Sequence, residues 1–210
     1  MSEAVEMGEW VPRTNLGRMV LEGKINSIEQ VFQMHGKILE PEIVDKLLPN
    51  LEQEVIDVKL VQRQTDAGEK TRFKALVVVG NRDGYIGIGT GKSSQVVLAI
   101  EKAIRNAKMS IVPVKRGCGS WECACGEPHS VLVKSEGKYG SVRIQLLPAP
   151  RGLGLVAGES QKIVLALAGI RDCWTKSFGE TRTSLSVVGA TYEALKETTK
   201  VVLPDLWRTV

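Results

Sequence analysis

Residue types and runs on which many enzymes and membrane proteins depend are scarce in this sequence of 210 residues. It contains two histidines, and aromatic residues make up 5% of it. Its apolar runs fall well short of the roughly 20 residues that a membrane-spanning helix needs. The first residues, Met1-Ser-Glu-Ala-Val-Glu-Met, are acidic where a secretory signal is basic and then apolar. We therefore expect a cytoplasmic protein.

Motifs for nucleotide binding and nucleophilic catalysis are incomplete. In Gly87-Ile-Gly-Thr-Gly-Lys-Ser, Ile86 stands where a P-loop needs its first glycine. The dinucleotide fingerprint also fails, because the third glycine comes one residue early. Neither His35 nor His129 has a nucleophile motif nearby. The sequence argues against an enzyme, although a glycine-rich strand beside a helix start still admits a close backbone or a phosphate ligand.

Acidic residues are unevenly distributed. Residues 1–61 carry six Lys/Arg and eleven Asp/Glu, whereas residues 62–210 carry twenty-two and thirteen. Between Glu101 and Glu122 there is no acid at all. The cations in that interval are Lys102, Arg105, Lys108, Lys115 and Arg116. Such a run favours contact with RNA or DNA phosphates over the alternative of a solvated, slightly basic surface.

The first half of the chain predicts an arm followed by a helix and strands. Scattered glycines in residues 1–36 predict an irregular arm, and Pro41 to Leu48 has the apolar face of a short helix. Residues 54–63 and 72–80 read as strands, joined by a polar hairpin loop at 65–71.

The pattern continues through an Asp-Gly turn into a third strand, Tyr85-Ile-Gly-Ile-Gly, and a helix after Gly91. The resulting order is helix, three strands, helix. After a break near residue 112, the second half predicts strands at about 130–134 and 141–147, a helix near 159–168, a strand near 170–178 and a helix at about 187–199.

A cysteine-rich loop carries the clearest chemical pattern. Cys118-Gly-Ser-Trp-Glu-Cys123-Ala-Cys125-Gly-Glu-Pro-His129 places three thiols and an imidazole within twelve residues. Three cysteines and one histidine form a common tetrahedral ligand set for structural zinc. The alternative is a reduced loop without metal, since the spacing lacks a Cys-x-x-Cys pair. Zinc-deaminase motifs are absent, and Cys173 is expected to be a small core residue.

Three segments resemble the universal small-subunit ribosomal protein "S-five" family. They are Gly68-Glu-Lys-Thr-Arg-Phe-Lys-Ala-Leu-Val-Val-Val-Gly-Asn-Arg-Asp-Gly-Tyr-Ile-Gly-Ile-Gly, Pro150-Arg-Gly-Leu-Gly-Leu-Val-Ala-Gly and Ala168-Gly-Ile-Arg-Asp-Cys-Trp. The resemblance covers about residues 40–200. The cysteine-rich loop and the ending Pro204-Asp-Leu-Trp resemble the archaeal branch and its eukaryotic relatives.

The resemblance implies an α+β fold with two domains. Residues 37–112 are expected to form a double-stranded-RNA-binding-like α-β-β-β-α domain, preceded by the irregular N-terminal arm of residues 1–36. Residues 113–200 are expected to form a βαβ-type ribosomal domain with a left-handed crossover, which periodicity alone does not predict. Residues 201–210 are expected to form a C-terminal tail.

The same resemblance implies a structural constituent of the small ribosomal subunit and not an enzyme. Such a protein binds small-subunit rRNA near the mRNA entry channel, contacts mRNA and the neighbouring ribosomal proteins four and eight, and supports subunit assembly and translational accuracy. The RNA-binding candidates are Lys70, Arg72, Lys74, Asn81, Arg82, Tyr85, Lys92, Arg105, Lys108, Lys115, Arg116 and Arg151. Tyr85 either stacks on RNA or packs internally, and Asp66 and Glu69 are expected to dilute the hairpin's charge.

Two other functional classes compete with this interpretation. A free-standing RNA-binding regulator with a structural zinc loop would share the first domain. A metal-dependent enzyme would need an open coordination site and an acid–base partner, which the loop does not provide. The cofactor considered is one structural zinc ion, held by Cys118, Cys123, Cys125 and His129.

Overall fold

The computed structural model of the protein describes residues 10–34, 37–123 and 125–201. His35 and almost all of the predicted tail at 201–210 lie outside these residues. The chain divides into two units between Asn50 and Leu51, and each is described by itself. None of the helices in this described part of the chain has the length and apolar character that crossing a membrane requires. The domain boundaries at residues 36, 112 and 200 stay predictions.

The first unit contains three short helices, α1 (Asn15–Leu21), α2 (Ile28–Gln33) and α3 (Pro41–Leu47). The predicted helix at Pro41 is therefore confirmed, but the expectation of an irregular arm is wrong for residues 15–21 and 28–33. Apolar side chains explain the difference, because seven of them are buried in this unit: Val20, Ile25, Ile28, Val31, Ile38, Ile43 and Val44. The scattered glycines suggested an irregular arm, yet Gly17 lies inside helix α1, in close contact with Pro12.

Glycine has a definite role at both ends of helix α1. The ideal Cβ of a side chain at Gly17 would lie 2.9 Å from the Pro12 Cβ, so only glycine fits there. Gly23 has a φ of +74° and ends the helix. Its N–H donates to the Val20 carbonyl and that of Lys24 donates to Met19, the hydrogen-bond pattern of a Schellman motif.

The second unit begins with an antiparallel sheet in the order β1-β2-β3-β4. Its strands are β1 (Glu52–Thr65), β2 (Gly68–Gly80), β3 (Tyr85–Ser93) and β4 (Val112–Pro113), with helix α4 (Val96–Met109) between the last two. The predicted order of helix, three strands and helix is confirmed by α3, β1 to β3 and α4. The hairpin loop predicted at 65–71 is wrong: Thr65 already pairs with Gly68, and only Asp66 and Ala67 form the turn. Gly68, with a φ of +109°, makes so short a turn accessible.

Helix α4 packs directly against the glycines of β3. An ideal Cβ at Gly89 would lie 2.2 Å from the Ala103 carbonyl oxygen, and one at Gly91 would lie 2.1 Å from that of Ala99. Of the two roles left open for this segment, close approach of a backbone is the one observed. The helix begins at Val96 and not directly after Gly91, because β3 continues to Ser93.

The cysteine-rich loop is framed by β5 (Arg116–Gly117) and β6 (Ser130–Val131), which pair with each other. A second sheet follows in the order β7-β8-β10-β9. Its strands are β7 (Ser135–Tyr139), β8 (Val142–Pro148), β9 (Leu155–Val156) and β10 (Cys173–Phe178), and its helices are α5 (Glu159–Leu167) and α6 (Ser184–Thr198). Strands β9 and β10 are parallel neighbours joined through α5, as the βαβ expectation requires. The handedness of this crossover stays a prediction.

Strand β7 was not predicted as a separate element, because Ser-Glu-Gly-Lys-Tyr has little β-propensity. Helix α6 explains its glycine, since an ideal Cβ at Gly137 would lie 2.1 Å from the Ala190 carbonyl oxygen. The two faces of β2 pack against different parts of the structure. Ala75 and Val77 face α4, whereas Leu76 and Val78 join the apolar core that is shared with the second sheet, α5 and α6.

Candidate nucleic-acid interface and metal centre

Cationic side chains collect on one face of the long β1–β2 hairpin. Arg63 pairs with Lys70, and Lys74 pairs with both Lys59 and Lys92. Paired residues of antiparallel strands point to the same side, as do alternate residues along one strand. These side chains therefore share a face with Arg72. We call this set the basic face: Lys59, Arg63, Lys70, Arg72, Lys74 and Lys92.

Few acidic side chains neutralise the cations of the basic face. Asp57 lies on the same side, forms an ion pair of 3.2 Å with Lys59 and accepts a hydrogen bond from the Ser184 hydroxyl. That hydrogen bond is the main reason why the pKa of Asp57 lies below its ordinary value. The other five cations have no acidic partner among the residues that the structure describes. Positive charge is therefore concentrated on this face.

The opposite face of the hairpin carries no cation in its distal part. Its members are Val58, Leu60, Gln62, Gln64, Glu69, Thr71 and Phe73. Glu69 accepts a hydrogen bond of 2.9 Å from the Gln62 amide. Glu69 was expected to dilute the positive charge of Lys70, Arg72 and Lys74, but alternation along the strand places it on the other side of the sheet.

The candidates in the second turn have internal partners. The Asn81 side-chain oxygen accepts hydrogen bonds from the backbone N–H groups of Asp83 and Tyr85, at 2.8 and 3.0 Å. Arg82 has a φ of +54°, and its guanidinium lies 2.8 Å from Glu52. Tyr85 is half-buried. Asn81 thus shapes the turn, while the Arg82 charge is already paired at an exposed position.

Two further candidates fasten distant parts of the chain together. The Lys115 Nζ donates to the Val201 carbonyl at 2.7 Å. The Arg116 guanidinium contacts the Asp83 carboxylate and the Gly169 carbonyl, and its side chain is only 19% exposed. Both residues therefore have structural roles that are sufficient to account for their charge.

The remaining helical candidates lie away from the basic face. Arg105 is exposed and Lys108 half-buried on α4, and α4 packs on the side of the sheet that Ala75 and Val77 form. The sequence placed all these cations in one RNA-binding set, whereas the fold puts Arg105 and Lys108 on the other side of the sheet from the basic face. Conversely, Lys59 and Arg63 were missed, although their four-residue spacing, the same as that of Lys70 and Lys74 across the hairpin, was a usable signal.

The four candidate metal ligands converge. The sulfur atoms of Cys118, Cys123 and Cys125 and one ring nitrogen of His129 all lie within 4.8 Å of one another. Ligands on a tetrahedral zinc ion are separated by about 3.4–3.8 Å, given bond lengths of roughly 2.0–2.3 Å. A contraction of about 1 Å would complete such a site. The cluster is therefore able to hold a metal ion.

His129 is oriented for this role by a buried carboxylate. Its side chain is 5% exposed, and its Nδ1 lies 2.9 Å from Asp172 Oδ2. The Nε2 atom lies 3.9 Å from the Cys123 sulfur. When Nδ1 donates its proton to Asp172, Nε2 keeps a lone pair directed at the cysteines, as in many zinc sites.

Electrostatics favour anionic sulfur at Cys118 and Cys123. The hydrogen bond from the Glu127 backbone lowers the pKa of Cys125, but burial and the two neighbouring thiols together outweigh it, so this pKa is raised. Backbone N–H groups, that of Arg151 foremost, lower the pKa of Cys123 to about 6, so its thiolate dominates at neutral pH. A hydrogen bond with His129 is the main cause that lowers the pKa of Cys118. Burial raises the pKa of Cys173 to about 12, against a smaller lowering effect of its hydrogen bond with the Leu147 backbone. Cys173 is fully buried, which confirms the expectation of a core residue.

Two family models match the chain. "Ribosomal protein S5, N-terminal domain" matches residues 51–115, and "Ribosomal protein S5, C-terminal domain" matches residues 137–209. The cysteine-rich loop lies between the two matched ranges.

Archaeal proteins named "Small ribosomal subunit protein uS5" are similar over nearly the whole chain. That of Thermofilum pendens is 60% identical over 200 residues, covering 95% of this chain and 99% of the relative. That of Aeropyrum pernix is 60% identical over 203 residues, covering 97% and 93%. That of Saccharolobus solfataricus is 56% identical over 204 residues, covering 97% and 95%.

Proposed function

Because the chain belongs to the ribosomal protein S5 family, we propose that it holds small-subunit rRNA mainly through the basic face of its β1–β2 hairpin. Membership of this family makes the chain a small-subunit ribosomal protein and not an enzyme, as the sequence predicted. It also favours a structural role over a free-standing regulator, since the relatives match 95% of the chain or more.

The concentration of six cations on one face supports this proposal most directly. Alternate residues on a strand lie about 7 Å apart, so Lys70, Arg72 and Lys74 span about 14 Å along β2. Lys59 and Arg63 run beside them on β1. A row of cations of this kind suits the phosphates and ribose hydroxyls of an RNA helix, which proteins recognise mostly by shape and backbone contacts.

Further parts of the proposal follow from the family resemblance. They are a position near the mRNA entry channel with contact to mRNA, contacts with ribosomal proteins four and eight, and support of subunit assembly and translational accuracy. Asn81, Arg82 and Tyr85 would then act by shaping the turn beside the rRNA, and Arg105, Lys108 and Arg151 as separate contacts. Lys115 and Arg116 would act indirectly, by stabilising contacts between distant parts of the chain.

Sedimentation of cell extracts tests the structural role. The tagged chain should co-migrate with small subunits in a sucrose gradient, and Lys70→Gln/Arg72→Gln/Lys74→Gln should shift it towards the top at raised salt. A wild-type chain that stays at the top of the gradient would contradict the assignment to the subunit. Hydroxyl-radical probing from a position on the hairpin would identify the rRNA that it contacts.

We also propose that Cys118, Cys123, Cys125 and His129 hold one structural zinc ion. Four protein ligands fill a tetrahedral shell and leave no open position for catalysis. Metal analysis of the purified chain should find about one zinc, lost in Cys123→Ser and retained in Cys173→Ser. The second variant is a matched control, because Cys173 is a buried thiol outside the cluster. A wild-type chain without zinc would overturn this proposal.

A further inference from the structure

We propose that Asp172 couples the metal centre to the turn at residues 150–154, so that metal binding sets the position of Arg151 and strengthens its contact with RNA. This inference rests on the proposed zinc site. It assigns Asp172 a positioning role and makes part of the rRNA affinity depend on the metal.

The carboxylate of Asp172 lies between the two elements and is satisfied on both sides. Its Oδ2 accepts from His129 Nδ1 at 2.9 Å. Its Oδ1 accepts from the backbone N–H groups of Gly152 and Gly154, at 3.1 and 2.8 Å. The side chain is only 6% exposed, so water does not readily replace either set of partners.

The turn has few other contacts that would hold it. Gly152 and Gly154 have φ values of +88° and +77°, and an ideal Cβ at either position would meet no atom within 4 Å. Leu153 donates a long hydrogen bond of 3.4 Å to the Pro150 carbonyl. The Gly154 carbonyl also accepts a hydrogen bond of 3.2 Å from the Cys173 N–H. The conformation of the turn therefore depends mainly, but not solely, on the acceptor that Asp172 supplies.

Two more links join the turn to the cysteine-rich loop. The Arg151 guanidinium lies 3.2 Å from the Glu127 carboxylate, and the Arg151 N–H lies against the Cys123 sulfur. On the other side, the His129 carbonyl accepts the N–H groups of Arg171 and Asp172, at 2.9 and 3.1 Å. The cysteine-rich loop therefore contacts both segments that carry an arginine, one with Arg151 and one with Arg171.

Both arginines face solvent, where RNA phosphates can reach them. The side chain of Arg151 is 61% exposed, and Arg171 is exposed and has no acidic partner in the described ranges. A metal ion on Nε2 fixes the ring of His129, and the ring in turn fixes Asp172. Without the metal, the ring gains freedom, the carboxylate loses its orientation and the turn loosens.

Hydrogen exchange on the full-length chain tests the coupling, with and without removal of zinc by a chelator. Stripping the metal should accelerate exchange of the Gly152 and Gly154 amides about 10- to 100-fold, because each loses a hydrogen bond to a charged acceptor. Protected amides of β2 should not change. Zinc-loaded Asp172→Asn should show the same local acceleration and bind zinc about 10- to 100-fold more weakly. Asp66→Asn, which changes an exposed carboxylate in the β1–β2 turn, is the matched control.

The functional consequence is measured with small-subunit rRNA as the probe. Zinc removal should weaken binding of the wild-type chain about three- to tenfold, and Arg151→Ala/Arg171→Ala should abolish this dependence on zinc. One bound zinc per chain with unchanged exchange at Gly152 and Gly154 would overturn the coupling and leave the zinc site standing. Equal acceleration in β2 would also overturn it, because the metal would then stabilise the whole fold. A chain that binds no zinc would overturn the site and the coupling together.

Discussion

Replacing Lys70, Arg72 and Lys74 with glutamine removes three of the six cations of the basic face. All three are on β2, and none has an acidic partner within the described residues. Glutamine keeps a long polar side chain on the exposed sheet, so the hairpin should stay folded. We therefore expect a loss of rRNA affinity that depends on salt, with little change in the free energy of unfolding.

The size of the effect follows from counterion release. A plot of log K against log salt has a negative slope. Each lost phosphate contact makes this slope less steep, by about 0.9 on a duplex and about 0.7 on a single strand. The loss of three contacts therefore makes it less steep by about 2.1–2.7. Between about 50 and 200 mM salt, the affinity of the wild-type chain should fall about 20–40-fold more than that of the variant.

Filter binding to small-subunit rRNA over that salt range provides the measurement, with a control from the adjacent residue. Arg72→Gln and Thr71→Glu change the net charge equally, but their side chains lie on opposite faces of the hairpin. Only Arg72→Gln should make the affinity for rRNA less dependent on salt. Equal slopes for both single variants would show that overall charge governs binding, and an unchanged slope in the triple variant would refute the assignment of the basic face.

Three further predictions concern the fold. Gly89→Ala should destabilise the chain by about 1–3 kcal/mol or more in urea unfolding, because an ideal Cβ would lie 2.2 Å from a carbonyl oxygen of α4; unchanged stability would refute this packing. Ser184→Ala should cost about 1 kcal/mol at neutral pH. The pKa of Asp57 is lowered in the fold, so its stabilisation is complete above the ordinary value of the carboxyl and is lost as the pH falls through the folded value. The Ser184→Ala difference should therefore shrink as the pH falls through the lowered pKa of Asp57, and a difference independent of pH would contradict this. Glu40→Gln should cost about 1–2 kcal/mol and alter Trp10 emission, because one amide oxygen cannot replace a carboxylate that accepts three hydrogen bonds; unchanged emission and stability would count against it.

Local patterning predicted most of the regular elements. The alternation in β1 and the helical spacing in α4 come from neighbouring residues alone, so a sequence window contains the whole signal. Where the signal was misleading, tertiary packing had overridden it. Glycines at positions 17 and 137 read as breaks, but each admits a neighbouring segment that lies elsewhere in the sequence. Helices α1 and α2 are too short for propensity to predict, and their stability comes from the burial of apolar side chains such as Val20, Ile28 and Val31.

The sequence by itself determined the family, the α+β class and the set of candidate metal ligands. The four ligands lie within twelve residues, so their proximity follows from chain connectivity. The tertiary structure alone decided which cations share a surface and which carboxylate orients His129. Strand register puts Lys59 and Arg63 beside Lys70 and Lys74, while α4 takes Arg105 to the other side of the sheet. Asp172 lies 43 residues from His129 in the chain. The two meet only because the segment that follows α5 folds back against the cysteine-rich loop, and such long-range pairing leaves no local trace in a sequence.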